Sequence, residues 1–263
     1  MNRLSYTCAA LLSVAGCVAM SGCDTKAPGG DIVAKPASAP QTTPAPAPKS
    51  DPLPPKTDLD RSKLPASLKT DAYAYYGLSY PKPLDMEITS SDARAGVLTG
   101  SMAIRMTDVK ADSATFSVET TGSLHDRIGD EVVALKPDGV YVVSSDMEKF
   151  TKPQLDLPTG FVAGKPWSVD STVEMAQGKM RQVLKSSCKG SRNVKIGDTT
   201  YPALYVVGEG TYTGAGISAR VVMREWFVKD IGVVKMELVQ TPKGKPPVTF
   251  DMVWKPTASK AKP

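Results

Sequence analysis

The densest set of side chains able to do chemistry in this 263-residue chain is His125-Asp126-Arg127, followed after Gly129 by Asp130 and Glu131. Together they offer a proton carrier, carboxylates and a fixed cation, the ingredients of acid–base catalysis beside an electrophile. The run falls between two strand-like segments, which makes it a solvated loop on the sequence reading. His125 is the only histidine. A zinc site needs several converging His, Cys, Asp or Glu ligands, and one histidine with one spare cysteine does not supply the usual sets. No Gly-x-Ser-x-Gly elbow occurs for a serine nucleophile. Gly208-Glu209-Gly210 and Gly214-Ala215-Gly216 lie among strand patterns rather than ahead of a helix, so they do not form a phosphate loop. The expectation is therefore no catalytic, cofactor-binding or metal-binding residue and no cofactor. Four cysteines remain: Cys8, Cys17, Cys23 and Cys188. Lys185 and Lys189 flank Cys188, but without a nearby base it reads as a small buried hydrophobe rather than a reactive thiol.

The elements that would have to position any site are strands. Leu84, Met86 and Ile88 alternate with Asp85, Glu87 and Thr89, and Met102, Ile104 and Met106 with Ala103, Arg105 and Thr107. The same period of two returns at Ala114-Phe116-Val118, at Trp167-Val169-Val173, at Val234-Met236-Leu238 and at Val248-Phe250-Met252-Trp254. Such segments are half-buried strands. About eleven are expected, with short turns between them such as Pro137-Asp138-Gly139 and Gly197-Asp198, and short turns favour antiparallel hairpins. Only Asp71 to Tyr76 has weak helical character. One-sided apolar faces must be covered, so the fold class is all-β: a single antiparallel, strongly curved sheet, as an open barrel or a sandwich, spanning 71–255.

Ahead of this domain the chain has Arg3, an apolar run from Ala9 to Met20, and Val18-Ala19-Met20-Ser21-Gly22-Cys23-Asp24. Small residues before a cysteine leave the backbone open to a peptidase and the thiol open to alkylation. The stretch resembles the lipobox of bacterial lipoproteins, and the apolar run is too short to span a bilayer. The resemblance implies a signal peptide at 1–22, cleavage after Gly22 and lipid on Cys23. The alternative is Cys17 after Val14-Ala15-Gly16, whose apolar core of about six residues falls below the usual length. Removing both Cys8 and Cys17 and lipidating Cys23 leaves Cys188 no partner for an intramolecular disulfide. Ten of the 22 prolines fall between Asp24 and Leu68. Proline without N–H groups and a shortage of apolar surface make 23–70 a disordered, partly polyproline tether, with a reach on the order of 140 Å when fully extended. Residues 256–263 read as a disordered basic tail.

A second resemblance rests on Gly164-Lys165-Pro166-Trp167, Tyr201-Pro202-Ala203-Leu204-Tyr205-Val206 and Glu225-Trp226-Phe227-Val228-Lys229-Asp230-Ile231-Gly232-Val233-Val234-Lys235. These look like an uncharacterised family of exported bacterial β-sheet proteins, although Asp230-Ile231-Gly232 stands where such proteins often have two glycines. It implies a β fold and carries no chemistry. From the residues themselves, Trp226 and Phe227 point to opposite faces of one strand, and Gly232 opens the return strand of a hairpin. Met86, Met102, Met106, Met236 and Met252 all fall on inward faces, where methionine fills irregular gaps or contacts a bound apolar ligand. The formal charge is +5 over the full chain, and its scattered lysines show no basic-aromatic pattern for nucleic acid. The functional expectation is a non-enzymatic, membrane-anchored envelope lipoprotein with a binding or structural domain in the periplasm or at the cell surface. A carrier or receptor for a hydrophobic ligand is the alternative, an enzyme the third. The expected partners are the membrane, through the N-terminal lipid, and a lipid or an envelope protein.

Overall fold

Alternation of apolar and polar residues builds nearly the whole domain. The structure is a computed structural model that describes residues 58–175, 178–214 and 216–256. Its strands are β1 (Leu84–Ser90), β2 (Leu98–Val109), β3 (Ala114–Thr120), β4 (Glu131–Lys136), β5 (Gly139–Ser145), β6 (Lys149–Phe150) and β7 (Gln154–Pro158). They continue as β8 (Trp167–Met175), β9 (Gly178–Ile196), β10 (Thr199–Gly214), β11 (Ile217–Val228), β12 (Gly232–Pro242) and β13 (Val248–Trp254). All belong to one sheet in the order β6, β8 to β13, β1 to β5, β7, with the first strand paired to the last through Ile88 opposite Met252. Every pairing is antiparallel. The all-β, single curved sheet read from the sequence is what forms, nearly closed into a barrel. The two strands beyond the expected eleven include β6 and β7, at two and five residues too short to display a period.

The register follows the parity of the apolar residues. Val234, Met236 and Leu238 are buried on β12, and Phe250, Met252 and Trp254 face them from β13. Trp226 stands on the outer face against Tyr205, with ring centroids 5.0 Å apart, while Phe227 is buried. A sheet with strands as long as β9 and β10 coils under its own twist. Irregular pairing at Met106/Asp108, Leu204/Val206 and Trp226/Phe227 sharpens the bend. The curl brings β7, at one edge, beside the part of β8 that the two-residue edge strand β6 leaves uncovered. No ladder joins them. Side chains close the seam instead: Trp167 Nε1 donates to the Asp156 carbonyl at 3.2 Å, and Gln182 Nε2 donates to Gln154 Oε1 at 2.8 Å.

Two short helices sit at opposite ends of this barrel. The first, α1 (Asp71–Tyr76), lies where the sequence shows helical character. Thr70 Oγ1 accepts the Tyr73 N–H at 3.4 Å at its start, and Gly77 ends it at φ 86. A side chain at Gly77 would collide with the Ile231 carbonyl oxygen, so this close contact with the β11–β12 turn requires glycine. The second, α2 (Gly122–Ile128), occupies the connection from β3 to β4. It corrects the expected loop around His125. At seven residues, with Leu124 and Ile128 buried and two glycines at its ends, it shows less than two full repeats of a helical period. It packs on β2 at Gly100, where a Cβ would meet the Thr121 carbonyl oxygen and Leu124 Cβ.

The packed chain also begins earlier than the expected boundary at residue 71. The Leu59 N–H donates to the Met106 carbonyl at 2.8 Å, and Arg61 donates to the carbonyls of Leu78 and Ile104, each at 2.7 Å. Leu64 and Leu68 are buried. Pro65 and the charged residues around them dilute the apolar signal, so sequence composition assigns 58–70 to the tether. The rest of the tether, the tail from residue 257, and Cys17, Gly22 and Cys23 lie outside the described residues.

Candidate functional site

Behind the side-chain-bridged seam lies a cavity of about 80 Å³, partly open to solvent. Its wall is mostly apolar: Met102 and Ile104 from β2, Val118 from β3, Met223 from β11 and Met236 from β12. Three aromatic rings join them, Tyr76 from α1, Trp167 from β8 and Phe227 from β11. Phe161 braces this aromatic side from behind, 6.1 Å from Trp167, 6.0 Å from Phe227 and 5.7 Å from Tyr75. Asp71 fixes α1 over this end by accepting the Gly160 N–H at 2.9 Å.

Into this apolar space project groups that ordinarily stay in water. Glu131 opens β4, Gln154 and Asp156 come from β7, Gln182 from β9 and Glu225 from β11. Glu131, Gln154, Gln182 and Glu225 are each at least nine-tenths buried. The amides of Gln154 and Gln182 bind each other once, which leaves Gln154 Nε2 and Gln182 Oε1 buried without a partner. A buried polar atom left unsatisfied costs about 1–3 kcal/mol.

Electrostatics tie the carboxyls together. Burial pushes the Glu225 carboxyl up to about 8, and the neighbouring Asp156 charge adds to the rise. Burial lifts Asp156 to about 6, moderated by a hydrogen bond with the Tyr76 hydroxyl. The Tyr76 hydroxyl is driven well above its ordinary value, first by burial and then by Asp156, Glu131 and Glu225. All three carboxyls therefore converge electrostatically on one phenol. Among the described residues no Lys, Arg or His lines the cavity, and no three acidic, cysteine or histidine side chains lie close enough to hold a metal ion.

The cluster that is densest in the sequence is divided by the fold. His125 sits on α2 with Nδ1 3.2 Å from Thr120 Oγ1 and 3.3 Å from Asp130 Oδ1, and Asp130 also accepts the Thr120 N–H at 2.9 Å. That network staples α2 to the end of β3. Asp126 is exposed and Arg127 half-exposed, whereas Glu131 turns into the barrel. Cys188 is a buried free thiol on β9. Of the five inward methionines, Met102 and Met236 line the cavity with Met223, while Met86, Met106 and Met252 are buried core residues. Sequence reasoning missed Gln182 and Glu225. Their signal is parity: Met180, Gln182, Leu184 and Ser186 share one face of β9, and Val221, Met223, Glu225 and Phe227 one face of β11.

No protein-family profile matches the chain, and the comparison with curated proteins gives no match. Among solved structures it is similar to a protein from Bacteroides fragilis described as exported with a YmcC-like fold, at 10% identity and a TM-score of 0.48, over 69% of this chain and 98% of that one. It is also similar to a protein from Parabacteroides distasonis described as a lipoprotein, at 12% identity and a TM-score of 0.44, over 67% and 96% of the two chains. A third is the hypothetical lipoprotein YmcC from Escherichia coli, at 11% identity and a TM-score of 0.33, over 68% and 89%. At these scores the overlap is loose and transfers no residue to this chain.

Proposed function

We propose that this chain is a lipid-anchored envelope lipoprotein whose β-domain binds a small amphipathic ligand in the seam cavity without transforming it. The anchor rests on the sequence around Cys23, which sets the domain in the periplasm or at the cell surface with the membrane as its first partner. The observation that carries the binding reading is the pair of unpartnered, buried amide atoms of Gln154 and Gln182 in an otherwise apolar, partly open cavity. A core built only for stability leaves such groups out, because each costs free energy until something pairs with it. Both His125 and Cys188 lie outside the lining, so among the described residues the cavity has no histidine base or thiol nucleophile. That composition supports binding over turnover.

Native mass spectrometry of the full-length protein purified from envelopes tests this. The expected result is a small-molecule mass that collisional heating removes, absent from Met223→Trp, in which the indole fills the cavity. The same adduct on both proteins would place the ligand elsewhere. One observation favours a second reading: Asp156 and Glu225 are pushed to different values, as in an acid–base pair. That reading requires chemical change in the bound compound, lost in Glu225→Gln.

A further inference from the structure

Building on the binding reading, we infer that the cavity selects a ligand bearing an ammonium group on a short apolar stem. The walls offer something different to each kind of head group. An anionic head would find no Lys, Arg or His among the described lining residues to pair with, only the carboxyls of Glu131, Asp156 and Glu225. A neutral head would satisfy the amides and hydrogen-bond the carboxyls, but would draw nothing from their charge. An ammonium uses the whole set. Gln182 Oε1 is an unpartnered, buried acceptor, and the carboxylates add charge-assisted acceptors, the stronger kind of hydrogen bond. The rings of Tyr76, Trp167 and Phe227 line the cavity, and an aromatic ring attracts a cation above its plane. Gln154 Nε2, a donor, remains for a water molecule, which a polar cavity of this size can hold.

Size limits the stem. An apolar cavity of about 150 Å³ accepts a benzene ring, so one of about 80 Å³ that is partly open takes an aliphatic chain of a few carbons and lets the remainder extend outward. The ligand class is a primary alkylammonium, whether a free amine or the end of a larger molecule.

The groups facing the ammonium are Tyr76 on α1, Glu131 on β4, Asp156 on β7 and Glu225 on β11. Because burial holds Glu225 protonated near neutral pH, binding expels a proton from it and leaves an ammonium–carboxylate pair. Affinity therefore rises with pH until that carboxyl ionises unaided, and falls only when the amine itself deprotonates.

Isothermal titration of the full-length protein with n-hexylamine, n-hexanol and hexanoate distinguishes the outcomes. Hexylamine binds about tenfold or more tightly than hexanol, the scale of one charge-assisted hydrogen bond, and hexanoate more weakly than either. Repeating the amine titration at pH 7 in two buffers of different ionisation enthalpy gives heats that differ, which shows proton release in the unaltered protein. Glu225→Gln brings hexylamine to the level of hexanol, and Asp156→Asn reduces the preference. Hexanol or hexanoate binding as well as hexylamine overturns the ammonium assignment and keeps the cavity as a site. Binding of none of the three overturns both.

Discussion

Glu148 gives the sharpest test of how the barrel interior treats charge. It lies between β5 and β6, 2% exposed, and neither carboxylate oxygen has a hydrogen-bond partner. Burial alone raises its carboxyl from 4.5 to about 8. A folded-state value above the unfolded one means that the native state holds the proton more tightly, so stability is full below about pH 4.5 and is lost as pH rises. By linkage the loss is about 3 kcal/mol at pH 7 and levels off at about 4–5 kcal/mol above pH 8, at 1.36 kcal/mol per unit. Glu148→Gln keeps the shape and removes the titration. Glu225 and Asp156 titrate in both proteins, so their contributions cancel in the difference. Urea melts of wild type and variant at pH 4.5, 7 and 9 should show nearly constant offset at the lowest pH and a growing advantage for Gln above it. Parallel stability curves across that range would refute the buried, unpartnered placement of Glu148.

Three further outcomes follow from the packing and the anchor. Trp254→Ala removes an indole that is 7% exposed and packs 5.7 Å from the Tyr201 ring, at a cost of about 3–5 kcal/mol. Lys235→Ala on the outer face loses its seat over Trp226 and an exposed attraction to Asp251, together about 0.5–1 kcal/mol, so equal urea midpoints for the two would contradict the strand register. Gly100→Ala drives a methyl group into the Thr121 carbonyl and Leu124, lifting α2 from β2 at about 1–3 kcal/mol; an unchanged thermal midpoint would show that α2 does not rest there. Cys23→Ser should abolish incorporation of labelled fatty acid, and label that persists moves the anchor to Cys17.

The fold was legible wherever strands were long enough to show a period. β12 and β13 alternate over eleven and seven residues, and the parity of Val234, Met236, Leu238 and of Phe250, Met252, Trp254 specifies both the inner face and the sheet's need to curl. What period cannot reveal is closure. The seam depends on Trp167 reaching the Asp156 carbonyl and on Gln182 reaching Gln154, contacts between residues 11 and 28 positions apart. For the same reason the candidate site stayed hidden. Charged groups close in sequence, such as His125 and Asp130, draw attention, yet they form a local staple. Tyr76, Asp156 and Glu225 are scattered, and only the curl brings them together. Glu225, though missed, carried a signal, because a carboxylate between Met223 and Phe227 on an inward face conflicts with its surroundings unless it has a task.

Binding in the seam cavity can be followed by nuclear magnetic resonance of protein labelled with ¹³C at the methionine methyl groups. Met102, Met223 and Met236 line the cavity, whereas Met86, Met106 and Met252 are buried outside its lining. Titration with n-hexylamine should move the first three methyl signals to saturation and leave the other three in place. Signals that stay fixed, or six that move together, would contradict it.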